Sequence, residues 1–332
     1  MTTILVTGAT GFIGSALCRE LCERGYQVIG FHRLSSSLKM IEGLPIQRVI
    51  GDLTDESSIE NAFSYHPEIV FHLGAQQFSG RNLTRLMDVN VGGTRRIFQA
   101  SFNAHVKRII LMSSAVTMGT AELSPDRHRS PKPVGETHGW DRTLESWPFA
   151  WSKLLAEYET QWAIAYGMDI VICNPMFVIG PGDYYRRNTG LIARFHDKPP
   201  KFFIEGGINL IHVNEVVQGL IQAMNYGEKG RRYLLSGTDR SFQQFFGDLA
   251  KLSGTPAPRM QLPTSFSNRL YAYRNRHPDL FPVEKTDINL LRMAGKYFYY
   301  DGKNSRLALH LPPPQPIEPA LQETLNWFRE NK

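Results

Sequence analysis

The 332 residues are 20% charged and 42% hydrophobic, an ordinary globular balance that excludes a disordered chain and leaves length for a large core. The formal net charge is +6, but basic residues are scattered and cluster only in pairs such as Arg95-Arg96, Arg186-Arg187 and Arg231-Arg232, so neither nucleic acid nor a membrane surface is an expected partner. Three cysteines (Cys18, Cys22, Cys173) without Cys-x-x-Cys or Cys/His spacing exclude a disulfide scaffold and suggest no metal site.

In chain order, TILVT reads as a short apolar strand that runs into a glycine-rich turn. FIGSALCRELCERG has helical periodicity and stops at a glycine; YQVIGFH and IQRVIGD are strands. ESSIENAFSY is a helix and EIVFHLG a fourth strand. LTRLMDVNVGGTRRIFQASFNA reads as one long helix weakened by Gly92-Gly93. VKRIILMSS is a fifth strand, followed from Gly119 to Pro148 by a polar stretch without periodicity. FAWSKLLAEYETQWAIAYG is a helix and MDIVICNP a sixth strand. Apolar strands separated by helices predict a parallel sheet covered on both faces. Beyond Pro175 the pattern loosens into strand pieces (LIHV, RRYLLSG) and helices, closing with IEPALQETLNWFREN after the LPPPQP break. No leader pattern precedes the first strand, and no segment reaches the ~18 consecutive apolar residues of a membrane span, so a cytoplasmic location is expected.

GATGFIG, Gly8 to Gly14, follows a strand and opens a helix, the context in which such a loop binds a dinucleotide. Gly8 permits a tight turn. Gly11 lets backbone N–H groups approach a pyrophosphate at the helix N-terminus, and Gly14 allows close helix–strand packing. Thr10, Phe12 and Ile13 complete the loop. The second strand ends at the expected adenosine ribose. An acid there suits the 2′-hydroxyl of NAD, whereas an arginine suits a 2′-phosphate. Arg33 stands in that place, with Ser35, Ser36 and Lys39 near, so NADP(H) is preferred over NAD(H).

The fold expected is α/β: a Rossmann-type doubly wound parallel sheet with a smaller discontinuous C-terminal substrate lid. Residues 1–174, with a returning segment 208–240, form the nucleotide-binding domain; 175–207 and 241–332 form the lid.

Several further motifs carry a family resemblance. GDLTD resembles an adenine-contacting turn (Asp52, Leu53), and FHLGA a strand end touching the cofactor (Leu73, Gly74, Ala75). VNVGGT contains Asn90, MSSAVTMG contains Ser114, and SKLLAE contains Lys153; NPMFVIGPGD supplies Pro175 and Val178. Together with GATGFIG, these resemble the extended short-chain dehydrogenases/reductases of the NAD-dependent epimerase/dehydratase superfamily. The nearest likeness is to the dihydroflavonol-reductase-like branch, with its hopanoid-associated sugar-epimerase-like members.

The resemblance implies that Ser114 hydrogen-bonds a substrate oxygen, that Lys153 holds the nicotinamide ribose, and that Asn90 supports the lysine. It also implies a tyrosine four residues before Lys153, where Phe149 stands. Phenylalanine cannot move a proton. Three readings stay open: another donor substitutes (Ser114, a water held by Lys153, or a hydroxyl such as that of Tyr184 or Tyr185), the reaction needs no tyrosine, or the protein binds cofactor silently. A sugar-nucleotide epimerase or dehydratase is a further alternative, weakened because it too normally needs the tyrosine.

GPGDYYRRNTG places Tyr184, Arg186, Arg187 and Thr189 at the expected substrate pocket, where paired arginines either grip an anion or lie in a solvated loop. His212, in LIHV, either faces the pocket or packs beneath it. The partners expected are a small-molecule substrate and, as a permitted state, a second copy in a homodimer.

Overall fold

The computed structural model describes residues 1–77, 82–121, 130–141, 144, 147–186, 189–277 and 290–331. Its first half comprises β1 (Thr3–Thr7), α1 (Phe12–Glu23), β2 (Gln27–His32), β3 (Gln47–Ile50), α2 (Glu56–Phe63), β4 (Ile69–His72), α3 (Leu83–Met87), α4 (Gly93–Asn103), β5 (Arg108–Met112), α5 (Pro148–Ala165) and β6 (Ile170–Pro175). There follow β7 (Phe177–Ile179), α6 (Gly190–Asp197), β8 (Phe202–Ile204), β9 (Gly206–His212), α7 (Val213–Tyr226) and β10 (Arg232–Leu235). The last part adds β11 (Thr238–Ser241), α8 (Phe242–Ser253), β12 (Met260–Leu262), α9 (Thr264–Arg276), β13 (Lys296–Phe298), α10 (Lys303–Ala308) and α11 (Ile317–Glu330).

Seven parallel strands form the main sheet in the order β10-β6-β5-β4-β1-β2-β3. The chain winds outward from β1 through β3, then restarts beside β1 and winds the other way. That reversal opens a crevice beyond the carboxyl ends of β1 and β4. Alternation along each strand builds two cores. Leu5 stands between Ile29 of β2 and Val70 of β4, and this face packs under Ile59 of α2 and Ile97 and Phe98 of α4. Ile4 and Val6 face the other way, onto Leu17 and Leu21 of α1 and Val216, Leu220 and Ile221 of α7.

The expected long helix is interrupted. Between α3 and α4 residues Asp88–Gly92 make a π-type turn, which carries Asn90. The glycine pair serves packing there, because a Cβ on Gly93 would lie 2.9 Å from Leu53 Cβ.

A second body lies over the sheet's carboxyl edge. β9 pairs with β11, β13 and β7, and β12 pairs with β8. Its core centres on Phe195 stacked against Phe246, with Phe203, Phe242, Phe245 and Leu321 around them. Val116 and Met118 join this core, as do Val134 and Leu144, so the described part of the aperiodic stretch after β5 packs with the second body. No described helix is long and apolar enough to cross a membrane.

Candidate functional site

Three glycines shape the turn between β1 and α1 for different reasons. Gly8 has φ +72°, and a Cβ there would stand 3.0 Å from the Gly74 backbone, so the ends of β1 and β4 meet too closely for a side chain. A Cβ on Gly14 would lie 2.9 Å from the Gly8 carbonyl carbon and nearer still to its oxygen. Gly11 differs: its φ is −78°, and a Cβ there would meet only the Gly8 oxygen, at 3.2 Å. Packing asks little of position 11, which borders the cleft. The N-terminus of α1 has no side-chain cap, leaving backbone donors and the positive dipole end for an anion.

The carboxyl ends of β1 to β6 open onto one cleft of about 550 Å³. The loop residues Gly8, Thr10, Gly11, Phe12, Ile13 and Gly14 line it, as do Arg33, Asp52, Leu53, Leu73, Gly74 and Ala75. So do Ser114, Phe149, Lys153, Pro175 and Val178. At the β2 end Arg33 is exposed, and His32 lies beneath it. The His32 Nδ1–H donates to the Arg33 carbonyl at 3.1 Å, whereas its buried Nε2 has no partner. Asp52 accepts from the Thr54 amide at 3.0 Å and faces Arg85 at 3.8 Å. An orphaned buried nitrogen, an uncapped helix and a glycine not demanded by packing fit a nicotinamide dinucleotide along this cleft.

Behind the loop, one hydrogen-bond chain fixes a histidine tautomer. The Thr94 hydroxyl donates to the Asn90 carbonyl, so it accepts from His72 Nε2–H at 3.1 Å. Thr7 Oγ1 accepts from the Gly74 amide and donates to His72 Nδ1 at 2.7 Å. Burial, then the Lys153 charge, push the His72 pKa down to about 3, so this ring stays neutral.

Pro148 starts α5 at its first turn, where no amide donor is needed. One turn in, the Lys153 ammonium donates to the Met112 carbonyl at 2.7 Å. Burial lowers its pKa to about 8, and the Glu157 carboxylate opposes that shift. Glu157 is itself a buried hub. It accepts from Ser113, from Thr117 at 2.8 Å and from Asn174 at 2.7 Å, and Arg232 lies 3.7 Å away. The Ser114 carbonyl is held by the Thr117 amide and by Asn174, which sets the backbone that presents the Ser114 hydroxyl.

Asn90 does not line the cleft. Its amide clasps both backbone groups of Gln76 and donates to Ser152 at 2.8 Å, tying the β4 loop to α5. Tyr184 also lies outside the cleft, exposed and edge-on to Tyr185. Tyr185 lines the cleft, but its hydroxyl accepts from the Ser37 amide, so it straps this loop to the segment after β2. Arg186 stacks over Phe328, and Thr189 is buried against Asp183. His212 caps α7 and reaches Glu323 at 3.1 Å, so it packs beneath the second body. Arg187 lies outside the described residues. Sequence reasoning passed over His32, His72, Arg85 and Glu157. The signal for Glu157 was its place at the end of SKLLAE, one helical turn after Lys153.

The described lining of the cleft also includes an apolar group, Val116, Trp147, Phe149, Met176, Phe177 and Met293. The described cations of the cleft are Arg33 and Arg85 at the β2–β3 end and Lys153 at the β5 end.

A family model described as NAD dependent epimerase/dehydratase family matches residues 4–236. A putative dihydroflavonol 4-reductase from Synechocystis sp. is 31% identical, covering 98% of this chain and 94% of that protein. Sterol demethylase protein B from Methylococcus capsulatus is 29% identical, covering 99% of this chain and 98% of its own length. The crystal structure of gox2253 superposes with a TM-score of 0.86 at 27% identity, over 100% of this chain and 99% of that one.

Proposed function

We propose, from the premise that this chain belongs to the NAD dependent epimerase/dehydratase family, that it is a reductase or dehydrogenase acting on a carbonyl or alcohol of an apolar small molecule in the cytoplasm, with NADP(H) preferred to NAD(H). The observation that carries this reading is a single cleft joining the glycine turn, Ser114 and Lys153 to an apolar wall. Bound there, a nicotinamide supplies or accepts a hydride.

The chain's own residues do the rest. Backbone donors in the first turn of α1 receive a pyrophosphate that approaches across Gly11, whose own amide is held by the Gly8 carbonyl. Arg33, exposed at the end of β2, suits a 2′-phosphate, and Asp52 is already engaged by Thr54 and Arg85. Lys153 holds a ribose, and the Ser114 hydroxyl donates to the substrate oxygen. Trp147, Phe149, Met176 and Phe177 exclude water around that oxygen. Two relatives are named for a sterol and a dihydroflavonol, in keeping with that wall. A sugar-nucleotide substrate is less well supported, because no described cation lines the apolar wall for its diphosphate.

The competing reading is a catalytically silent NADP(H) binder, and Phe149 is the observation in its favour. Two measurements separate the readings: titration of NADPH and NADH by calorimetry, and turnover over a panel of apolar ketones, aldehydes, alcohols and sugar nucleotides. Tight NADPH binding with apolar-carbonyl turnover supports the enzyme. Binding with no turnover on any substrate favours the silent binder, and loss of binding refutes both.

A further inference from the structure

We infer that Arg292, which does not line the cleft, is a positioning residue for the substrate: it braces the Trp147 ring and so fixes one part of the apolar wall. The inference rests on the reductase reading above and adds to it a side chain that acts through another.

Trp147 is the N-cap of α5, the helix that carries Phe149 and Lys153. Its backbone is set locally: its amide donates to the Leu144 carbonyl at 2.8 Å, and its carbonyl accepts from the Trp151 amide at 3.0 Å. The indole beyond that backbone is held from the second body. Phe298 of β13 meets it edge-on, with ring centres 5.9 Å apart. The Arg292 guanidinium lies over it, 5.7 Å from the ring centre. Arg292 is oriented in turn by α9. Its Nε–H donates to the Tyr271 hydroxyl at 2.8 Å, and its guanidinium lies 5.2 Å from the centre of the Tyr271 ring. The Arg292 carbonyl accepts from the Lys296 ammonium at 3.1 Å. The next residue, Met293, is buried and lines the cleft beside Trp147, so one turn supplies a piece of the wall and the brace for another. That turn is fixed as well, since the Met293 amide donates to the Leu290 carbonyl and the Gly295 amide to the Glu205 carbonyl, each at 2.9 Å.

A guanidinium is planar and weakly hydrated, which suits a place against two rings. Among the described residues this one forms no ion pair; it meets the two rings and a phenol oxygen. Stacking is therefore its main contribution. Without it the indole is free to sample other rotamers, and the apparent substrate affinity falls by the fraction of chains that keep the wall in place. A cation–π contact partly withdrawn from water shifts that fraction by ~5- to 30-fold. The cofactor should feel little of this, because the glycine turn, Arg33 and Lys153 are set by other contacts.

The test compares wild type with Arg292→Met, which removes the cation and keeps an unbranched apolar chain, and with Arg292→Lys, which keeps the cation and loses the planar fork. NADPH affinity is read by calorimetry, and turnover by loss of NADPH fluorescence with decanal and 2-decalone as probes. Arg292→Met is expected to raise KM for the probes ~5- to 30-fold, with kcat and NADPH affinity within about threefold of wild type. Arg292→Lys should fall between the two. Tyr271→Phe, which removes only the oxygen that orients the guanidinium, should raise KM in the same direction by less. Equal KM in wild type and Arg292→Met overturns the inference and leaves the reductase reading intact. A parallel loss of kcat and NADPH binding marks a general structural role and also overturns it. No turnover of either probe by a wild type that binds NADPH overturns the reductase reading and the inference with it. An activity-free readout is acrylamide quenching of the fluorescence that Trp147→Phe removes. That emission is expected to become more quenchable in Arg292→Met, and unchanged quenching overturns the brace.

Discussion

Gly11 and Gly14 stand three residues apart in one loop, yet substitutions there should fail in opposite ways. In Gly14→Ala the new Cβ would lie 2.9 Å from the Gly8 carbonyl carbon and 3.2 Å from Ala9 Cα, where carbon atoms normally keep ~3.5 to 4.0 Å. The neighbours are backbone, so relief means moving α1 away from β1 rather than turning a side chain. Overpacking of this kind costs ~1 to 3 kcal/mol. Shifting the Gly8 carbonyl also weakens its 2.9 Å bond from the Gly11 amide, adding ~1 kcal/mol. A total of ~2 to 4 kcal/mol lowers Tm by roughly 3 to 6 °C in a chain of 332 residues. In Gly11→Val the new Cβ meets one protein atom, the Gly8 oxygen at 3.2 Å, and position 11 borders the open cleft, so stability should change by less than ~1 kcal/mol. Its side chain instead fills the space where backbone must approach a pyrophosphate, and NADPH affinity should fall by ~10²-fold or more. Thermal unfolding followed by circular dichroism reads the first effect, and calorimetric NADPH titration reads the second. A stable, cofactor-binding Gly14→Ala, or a Gly11→Val that binds NADPH normally, would refute the division of roles.

Arg33→Ala should weaken NADPH binding tenfold or more and leave NADH nearly unchanged, since a charge-assisted bond to a 2′-phosphate contributes ~1.5 to 3 kcal/mol; equal losses for both cofactors would remove Arg33 from that role. Phe149→Tyr adds a hydroxyl at the edge of a ring that already lines the cleft, so stability should hold within ~1 kcal/mol and turnover should not rise on the native substrate class. A uniform ~10²-fold gain over a carbonyl panel would mean instead that the wild-type site lacks a working donor. His72 titrates at about 3 when folded against 6.5 when free, so the unfolded chain binds the extra proton between those values. Stability should therefore fall as pH drops through that window, by at most ~1.4 kcal/mol per pH unit. Comparing wild type with His72→Gln cancels other groups, including Asp239, whose carboxyl is pushed up to about 6 by burial and acts in the opposite sense. Parallel stability curves for the two proteins between pH 4 and 6.5 would refute the assignment.

Much of the sheet was legible because its signals are local. A strand buried on both faces must be apolar throughout, as ILV and IVF are, and a helix between such strands shows its period. The glycine loop was legible for the same reason: turn, close approach and helix start all fall within seven residues, Gly8 to Gly14. The substrate side was harder. Tyr184, Arg186 and Thr189 share a loop with the cleft, but among its described residues Asp183 and Tyr185 line it instead. The direction of each side chain depends on φ and on partners distant in sequence, such as Phe328 under Arg186.

The sequence by itself determined the strand and helix alternation, the dinucleotide-type turn, and the short motifs that hold Ser114, Phe149 and Lys153. Each is a pattern of a few neighbouring residues. Only the tertiary structure decided what surrounds Lys153. Met112 comes from β5, His72 from β4 and Arg232 from β10, and Glu157 meets Ser113 at the end of β5 and Asn174 of β6. Burial and charge act through space and are summed over all of these segments, so the Lys153 proton affinity is a property of the assembled fold that no single stretch of the chain encodes.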